Sequence, residues 1–172
     1  MNLLTIEART NSKRLPGKVL LELNKKSLIE VIVEKCKNIN SIDKLVVATS
    51  TSKKDDMFCK YLRKKNISFY RGSEENVWLR LVNCCKQYKA DNLVKLTGDN
   101  PFIDTELINE AFGIFKNIDN LDILCVCDKR SVPIGLDFEI LNTKNFIKSY
   151  SNNRDDYDKE HATTFLKKYF QK

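Results

Sequence analysis

Between Ala8 and Leu20 the chain carries four cations, Arg9, Lys13, Arg14 and Lys18, in a stretch that also holds Ser12, Pro16 and Gly17. Arginine presents a planar fork of donors to phosphate oxygens, lysine adds a compact point charge, and Gly17 permits a close backbone approach, so the segment suits a polyphosphate. On charge alone a solvated basic loop is the plain alternative. Two later segments bear on the choice. Val94-Lys95-Leu96-Thr97 is a short strand pattern running into Gly98-Asp99-Asn100-Pro101, where Pro101 turns the chain away from helix and leaves Asp99 at the strand end. Gly135-Leu136-Asp137-Phe138-Glu139-Ile140 alternates along an expected strand, so Asp137 and Glu139 share one face. Magnesium is typically held by one or two carboxylates together with substrate phosphates, which makes Asp99 the first expected ligand and Asp137 and Glu139 the candidates for a second contact. The competing roles are a turn-former for Asp99 and the polar face of a half-buried strand for the other two.

These groups need a scaffold, and the apolar pattern supplies one. Leu3 to Ala8 reads as a buried strand, Leu28 to Cys36 repeats at helical spacing, and Lys44 to Ala48 is a second buried strand. The pattern predicts a helix from Lys54 to Lys65, a strand from Ile67 to Tyr70, a helix from Glu75 to Tyr88 and a strand from Leu93 to Leu96. Thr105 to Phe115 is helical, Ile123 to Cys127 and Asp137 to Leu141 are strands, and Asn145 to Tyr150 and Asp158 to Tyr169 are helical. Ser151 to Asp156 reads as an exposed loop. This alternation predicts one α/β domain over residues 1–172, Rossmann-like, with a mostly parallel sheet and helices on both faces. In such a sheet ligands sit beyond the carboxyl ends of the strands, which is where the basic loop leaves Ala8 and where Asp99 stands.

Taken in chain order, the motifs resemble the bacterial cytidylyltransferases that make CMP-activated sugars. The nearest type is the spore-coat polysaccharide one, related to the acylneuraminate and 3-deoxy-manno-octulosonate enzymes. The matching stretches are Ala8-Arg9 with Ser12-Lys13-Arg14-Leu15-Pro16-Gly17-Lys18-Val19-Leu20, Val46 to Ser50, Arg71-Gly72-Ser73-Glu74 with Val77 and Arg80, Leu96 to Pro101, Gly135 to Glu139, and Glu160-His161-Ala162-Thr163. The chain departs from the family pattern at Leu79, where an acidic residue usually precedes the arginine, and it ends sooner than most relatives. The resemblance implies a nucleotide-diphospho-sugar transferase-like fold and transfer of CMP from CTP to an acidic sugar, releasing pyrophosphate, for surface polysaccharide biosynthesis. It implies Mg²⁺ as cofactor, Arg14, Lys18 and Asp99 as catalytic residues, and metal contacts at Asp99, Asp137 and Glu139. Ala8, Arg9, Ser12, Lys13, Thr49, Ser50, Arg71, Gly72, Ser73, Arg80 and Thr97 would bind the nucleotide, with Glu160 and His161 facing the acceptor. A homodimer is a candidate assembly. Two alternatives stay open at this point: a glycosyltransferase using a nucleotide-sugar, and a non-catalytic nucleotide-binding domain.

Composition narrows the classes further. At 172 residues one core is expected, burying roughly 70% of the unfolded chain's surface. No apolar run approaches the ~20 residues of a membrane span, and the opening Met1-Asn2-Leu3 lacks the regions of a signal peptide, so a cytoplasmic location is expected. The net charge of +7 raises nucleic acid as a partner, yet the lysines are dispersed among acidic neighbours, as in Lys53-Lys54-Asp55-Asp56, so none is expected. Six cysteines contain no Cys-x-x-Cys pair and His161 is the sole histidine, which argues against structural zinc; all six are expected to be reduced and to behave as small buried hydrophobes.

Overall fold

The computed structural model describes residues 1–12, 15–127, 132–151 and 154–169. Its elements, in chain order, are β1 (Asn2–Glu7), β2 (Glu22–Leu23), β3 (Lys26–Ser27), α1 (Leu28–Cys36), β4 (Lys44–Ser50), α2 (Asp56–Lys64), β5 (Phe69–Gly72), α3 (Val77–Tyr88), β6 (Asn92–Thr97), α4 (Thr105–Asn117), β7 (Ile123–Cys125), β8 (Glu139–Asn142), α5 (Thr143–Ser149), α6 (Asp156–His161) and α7 (Thr164–Tyr169). Local chemistry explains several boundaries. Ser27 and Glu30 close a reciprocal capping box at the start of α1. Asp104 accepts from Glu106 N and Leu107 N at the start of α4, and α3 ends on Lys89 in the left-handed conformation.

The main sheet has the order β5-β4-β1-β6-β8-β7. Pairings among β5, β4, β1 and β6 are parallel, whereas β8 runs antiparallel to both β6 and β7. Leu3, Leu4, Thr5 and Ile6 of central β1 are all buried, as a strand covered on both faces must be. One face packs Leu4, Ile6, Val47, Val94 and Leu96 against α1, α2 and α4. The opposite face packs Leu3, Val46, Ala48, Leu93 and Leu141 against α3, α5 and α7. The α/β sheet with helices on both faces therefore follows the sequence pattern.

Three departures have physical causes. The strand expected from Asp137 begins only at Glu139, because the chain first turns through Gly135 at φ 100°, with Leu136 N donating to Pro133 O at 3.2 Å. Asp137 and Glu139 therefore do not share a strand face. The single helix expected over Asp158–Tyr169 is two, broken at Ala162, whose φ is 53°. Ala is a strong helix former, but here tertiary burial overrides propensity: Ala162 is wholly buried and Thr163 turns inward to reach Glu139 at 3.1 Å. The hairpin β2–β3 was not anticipated; its turn residues Asn24 and Lys25 both have positive φ, as a two-residue hairpin turn requires.

Candidate active site

In chain order the parallel strands add outward from β1 through β4 to β5, and the chain then crosses to the other side of β1 to form β6. The switch point lies between β1 and β6, the position at which open α/β sheets bind ligands beyond the carboxyl strand ends. A cavity of about 380 Å³ opens there. Glu7 ends β1 opposite Thr97 of β6, and Gly98 N donates to Glu7 O at 2.8 Å. A Cβ on Gly98 would stand 2.8 Å from Ala8 Cβ and 2.9 Å from Glu7 O, so only glycine lets the two strand ends approach this closely.

Ala8, Arg9, Ser12, Lys18, Arg80, Thr97, Asp99, Glu160 and His161 of the expected site residues line this cavity. Lys18 Nζ meets Asp99 Oδ2 at 2.5 Å. Burial pushes the Asp99 carboxyl up, but hydrogen bonds from Lys18 and Thr97 outweigh it and hold the group below the usual carboxylate range. Arg9 donates to Glu74 O at 3.1 Å and lies 3.7 Å from Glu160. His161, at the end of α6, is exposed and stacks against Tyr157 with centroids 4.3 Å apart.

Arg80 is the most unusual of these groups. It is 2% exposed, its Nη1 donates to Ser73 O at 2.8 Å, its Nε has no partner, and among the described residues no carboxylate pairs with it. Burial pulls the guanidinium below its ordinary value, with the nearby Glu7 acting against that pull. A buried cation without a counter-charge is costly, and an anionic ligand in the cavity would relieve the cost. Gly72 and Ser73 act through this residue: a Cβ on Gly72 would lie 2.7 Å from Arg80 Cγ, so the glycine leaves room for the side chain to pass.

The other expected residues that the structure describes lie outside the lining. Thr49 is wholly buried at the end of β4, and Ser50 Oγ donates to Asp55. Arg71 is committed to Asp56 at 2.8 Å and to the carbonyls of Ser50 and Ser52. Asp137 accepts from Gly135 N at 3.3 Å, and its carbonyl receives Asn100 Nδ2 at 3.4 Å, which sets it beside the Asp99 turn. Glu139 is buried and gripped by two ammonium groups, Lys95 at 3.0 Å and Lys167. Lys13 and Arg14 lie outside the described residues.

Two groups escaped the sequence reading. Glu7 lines the cavity, and nothing in a strand-end glutamate separates it from an ordinary polar terminus. Asp55 is 1% exposed and accepts from Thr10 N at 2.8 Å, Thr10 Oγ1 at 2.7 Å and Ser50 Oγ, so one carboxylate ties the basic loop to the end of β4. Burial raises its pKa, but these hydrogen bonds outweigh burial and hold it low. The loop closes on itself through Gly17 N to Thr10 O at 2.8 Å, with Gly17 at φ 72°. The Asp99 carboxylate and the neighbouring Thr97 hydroxyl offer oxygen ligands of the kind a hard cation such as Mg²⁺ takes, with the Lys18 ammonium already on Asp99 Oδ2, where an arriving cation would have to displace it.

A switch-point cavity with cations on one strand-end loop and a carboxylate on the next defines an open α/β domain suited to a phosphate-bearing ligand, and its likeness to a solved cytidylyltransferase makes the fold nucleotidyltransferase-like. The cytidylyltransferase family profile matches residues 3–172, and the chain belongs to that family. It is 33% identical over 172 residues to the spore coat polysaccharide biosynthesis protein SpsF of Bacillus subtilis, covering 96% of this chain and 69% of that protein. To a 3-deoxy-manno-octulosonate cytidylyltransferase of Acinetobacter baumannii it is 26% identical over 133 residues, covering 74% of this chain and 51% of that one. The solved structure of a cytidylyltransferase from Leptospira borgpetersenii superposes with a TM-score of 0.88 at 28% identity, over 98% of this chain and 70% of the other. The chain thus spans between about two fifths and just over two thirds of the length of the curated relatives it matches.

Proposed function

We propose that this chain binds CTP with Mg²⁺ and transfers CMP to a hydroxyl of an acidic sugar, releasing pyrophosphate, in the cytoplasmic assembly of a surface polysaccharide. The observation that carries the reading is the Lys18–Asp99 pair at the β1/β6 switch point, with Arg9 and the buried Arg80, whose Nε has no partner among the described residues, lining the same cavity. In the reaction the acceptor oxygen attacks the α-phosphorus while the bond to the β-phosphate oxygen breaks. The protein forms no bond of its own, so its work is positioning and charge neutralisation. Arg9, Lys13, Arg14 and Lys18 would hold the triphosphate, with Lys18 nearest the departing pyrophosphate. Ser12 would support the same loop. Asp99 would hold Mg²⁺, which would supply neutralisation of the phosphate charge; Asp137, beside the same turn, is a better candidate for a second carboxylate contact than Glu139, which two lysines already hold. The strand-end backbone at Ala8 and Arg9 would contact the base, Gly72 and Ser73 would act on the nucleotide through Arg80, Thr49, Ser50 and Arg71 would brace the end of β4 from outside the lining, and Thr97 would flank the phosphates. Glu160, 3.7 Å from Arg9, and His161, at the end of α6 in the same lining, would face the acceptor. The relatives' names support the cytidylyl and polysaccharide parts of this reading.

The test is pyrophosphate release from each of CTP, UTP, ATP and GTP with Mg²⁺ and a panel of acidic sugars. Release with CTP and at least one acidic sugar is expected. Release with a different triphosphate would reassign the base, and no release with any donor-acceptor pair, despite CTP binding, would leave a nucleotide-binding domain.

A further inference from the structure

Cys125, at the end of β7, and Cys127, two residues on, are half-buried, in contrast to the buried Cys36, Cys59, Cys84 and Cys85, and this corrects the expectation that all six cysteines are core hydrophobes. Their Sγ atoms are 3.0 Å apart. β7 ends at Cys125 and the chain bends at Val126 into a turn at Cys127, which brings the two sulfurs together; closing them to a bonding distance of about 2.05 Å needs a movement of about 1 Å. We propose that Cys125 and Cys127 form a reversible dithiol–disulfide couple that closes on exposure to a peroxide.

The surroundings favour this use over a metal. The two sulfurs and a Glu139 oxygen lie within 4.8 Å of one another, which is ligand-like spacing. Both Glu139 oxygens are already taken, however, Oε2 by Lys95 at 3.0 Å and Oε1 by Lys167 and by Thr163 at 3.1 Å. A divalent cation would have to displace two ammonium groups. Lys167 Nζ stands 3.9 Å from Cys127 Sγ, while the Glu139 carboxylate faces both sulfurs at 3.7 and 3.9 Å and opposes a thiolate, so it is the closeness of the two sulfurs that singles out this pair. The four other thiols lack this setting; burial pushes Cys36 and Cys84 up to about 12.

The chemistry balances with hydrogen peroxide as oxidant. One thiolate attacks a peroxide oxygen, the O–O bond breaks, and the departing hydroxide takes up a proton to leave as water, giving a sulfenic acid. The second sulfur attacks that sulfenic sulfur, the S–O bond breaks, and the hydroxide leaves as water with the second thiol's proton. Two thiols lose two electrons and one peroxide becomes two waters. A dithiol reductant restores the pair. Glu139 links the couple to both cavity walls, to Glu7 through Lys95 at 3.7 Å and to the segment after His161 through Thr163. The couple itself does not depend on the nucleotide reading.

The test treats the chain with equimolar hydrogen peroxide, blocks free thiols under denaturing conditions and maps tryptic peptides by mass. The peptide Asn117–Lys129 contains Cys125 and Cys127 and no other cysteine. It is expected two hydrogens lighter and unblocked, closing roughly tenfold faster than the other four thiols react, and reverting with dithiothreitol. Cys125→Ser and Cys127→Ser should each abolish closure, with the remaining thiol trapped as sulfenic acid by dimedone. Oxidation spread evenly over six thiols, or both cysteines blocked separately after peroxide, would overturn the proposal. So would one tightly held Zn²⁺ that prevents closure.

Discussion

At the scale of single residues, the cavity balances three cations, Arg9, Lys18 and Arg80, against three carboxylates, Glu7, Asp99 and Glu160, among the described lining residues. Opposite charges then neutralise one another until a ligand with its own metal rearranges them. Asp99→Asn keeps the shape and loses the charge that would hold Mg²⁺, so turnover at limiting Mg²⁺ should fall by several orders of magnitude with the melting temperature nearly unchanged. Near wild-type turnover would remove the metal role. Lys18→Ala should cost about 2–4 kcal/mol of transition-state stabilisation, comparable to losing one preorganised donor, read as kcat/KM for pyrophosphate release. Lys64 and Lys65, outside the loop, should be nearly silent in the same assay.

At the scale of elements, the site depends on how closely β1 and β6 end together and on how firmly the basic loop is tied to β4. Gly98→Ala places a methyl within 2.8 Å of Ala8 Cβ and 2.9 Å of a backbone oxygen, neither of which can swing away. Stability should fall by about 1–3 kcal/mol in denaturant titration, and nucleotide affinity should drop beyond what partial unfolding explains. Asp55 tests the second dependence. Asp55→Ala leaves the Thr10 and Ser50 donors without their buried acceptor, at a cost of about 1–3 kcal/mol. Because its folded pKa is lowered from 3.8, the folded state binds fewer protons than the unfolded one, so Asp55 stabilises above that value and its contribution drains away as the pH falls below it.

At the scale of the whole molecule, Glu139 joins β8, β6, α7 and the turn before α7 through Lys95, Lys167 and Thr163. Burial pushes its carboxyl up, but the two lysines outweigh burial and bring it from 4.5 to about 2. That stabilisation is complete above about 4.5 and is lost as the pH falls toward 2. Glu139→Gln, which takes the carboxylate from Lys167 and leaves Lys95 with Glu7 at 3.7 Å, should destabilise the fold by roughly 3 kcal/mol and flatten the acid limb of the stability profile. CTP with Mg²⁺ should raise the melting temperature more than the other triphosphates do, since a ligand of the folded state stabilises it by mass action; equal shifts would preserve a phosphate site and sink the cytidylyl choice. The sequence alone determined the alternation of strands and helices, the cationic loop and the carboxylate at the end of β6, because apolar period and turn residues are written in neighbouring positions. Tertiary structure alone decided that β8 runs against β6, that the last helix breaks at Ala162, that Asp55 secures the loop, that Arg80 is buried with no salt bridge among the described residues and that Glu139 belongs to two lysines. Each of these depends on groups brought together by the packing of whole elements, so its cause is a partner in space that no local period along the chain encodes.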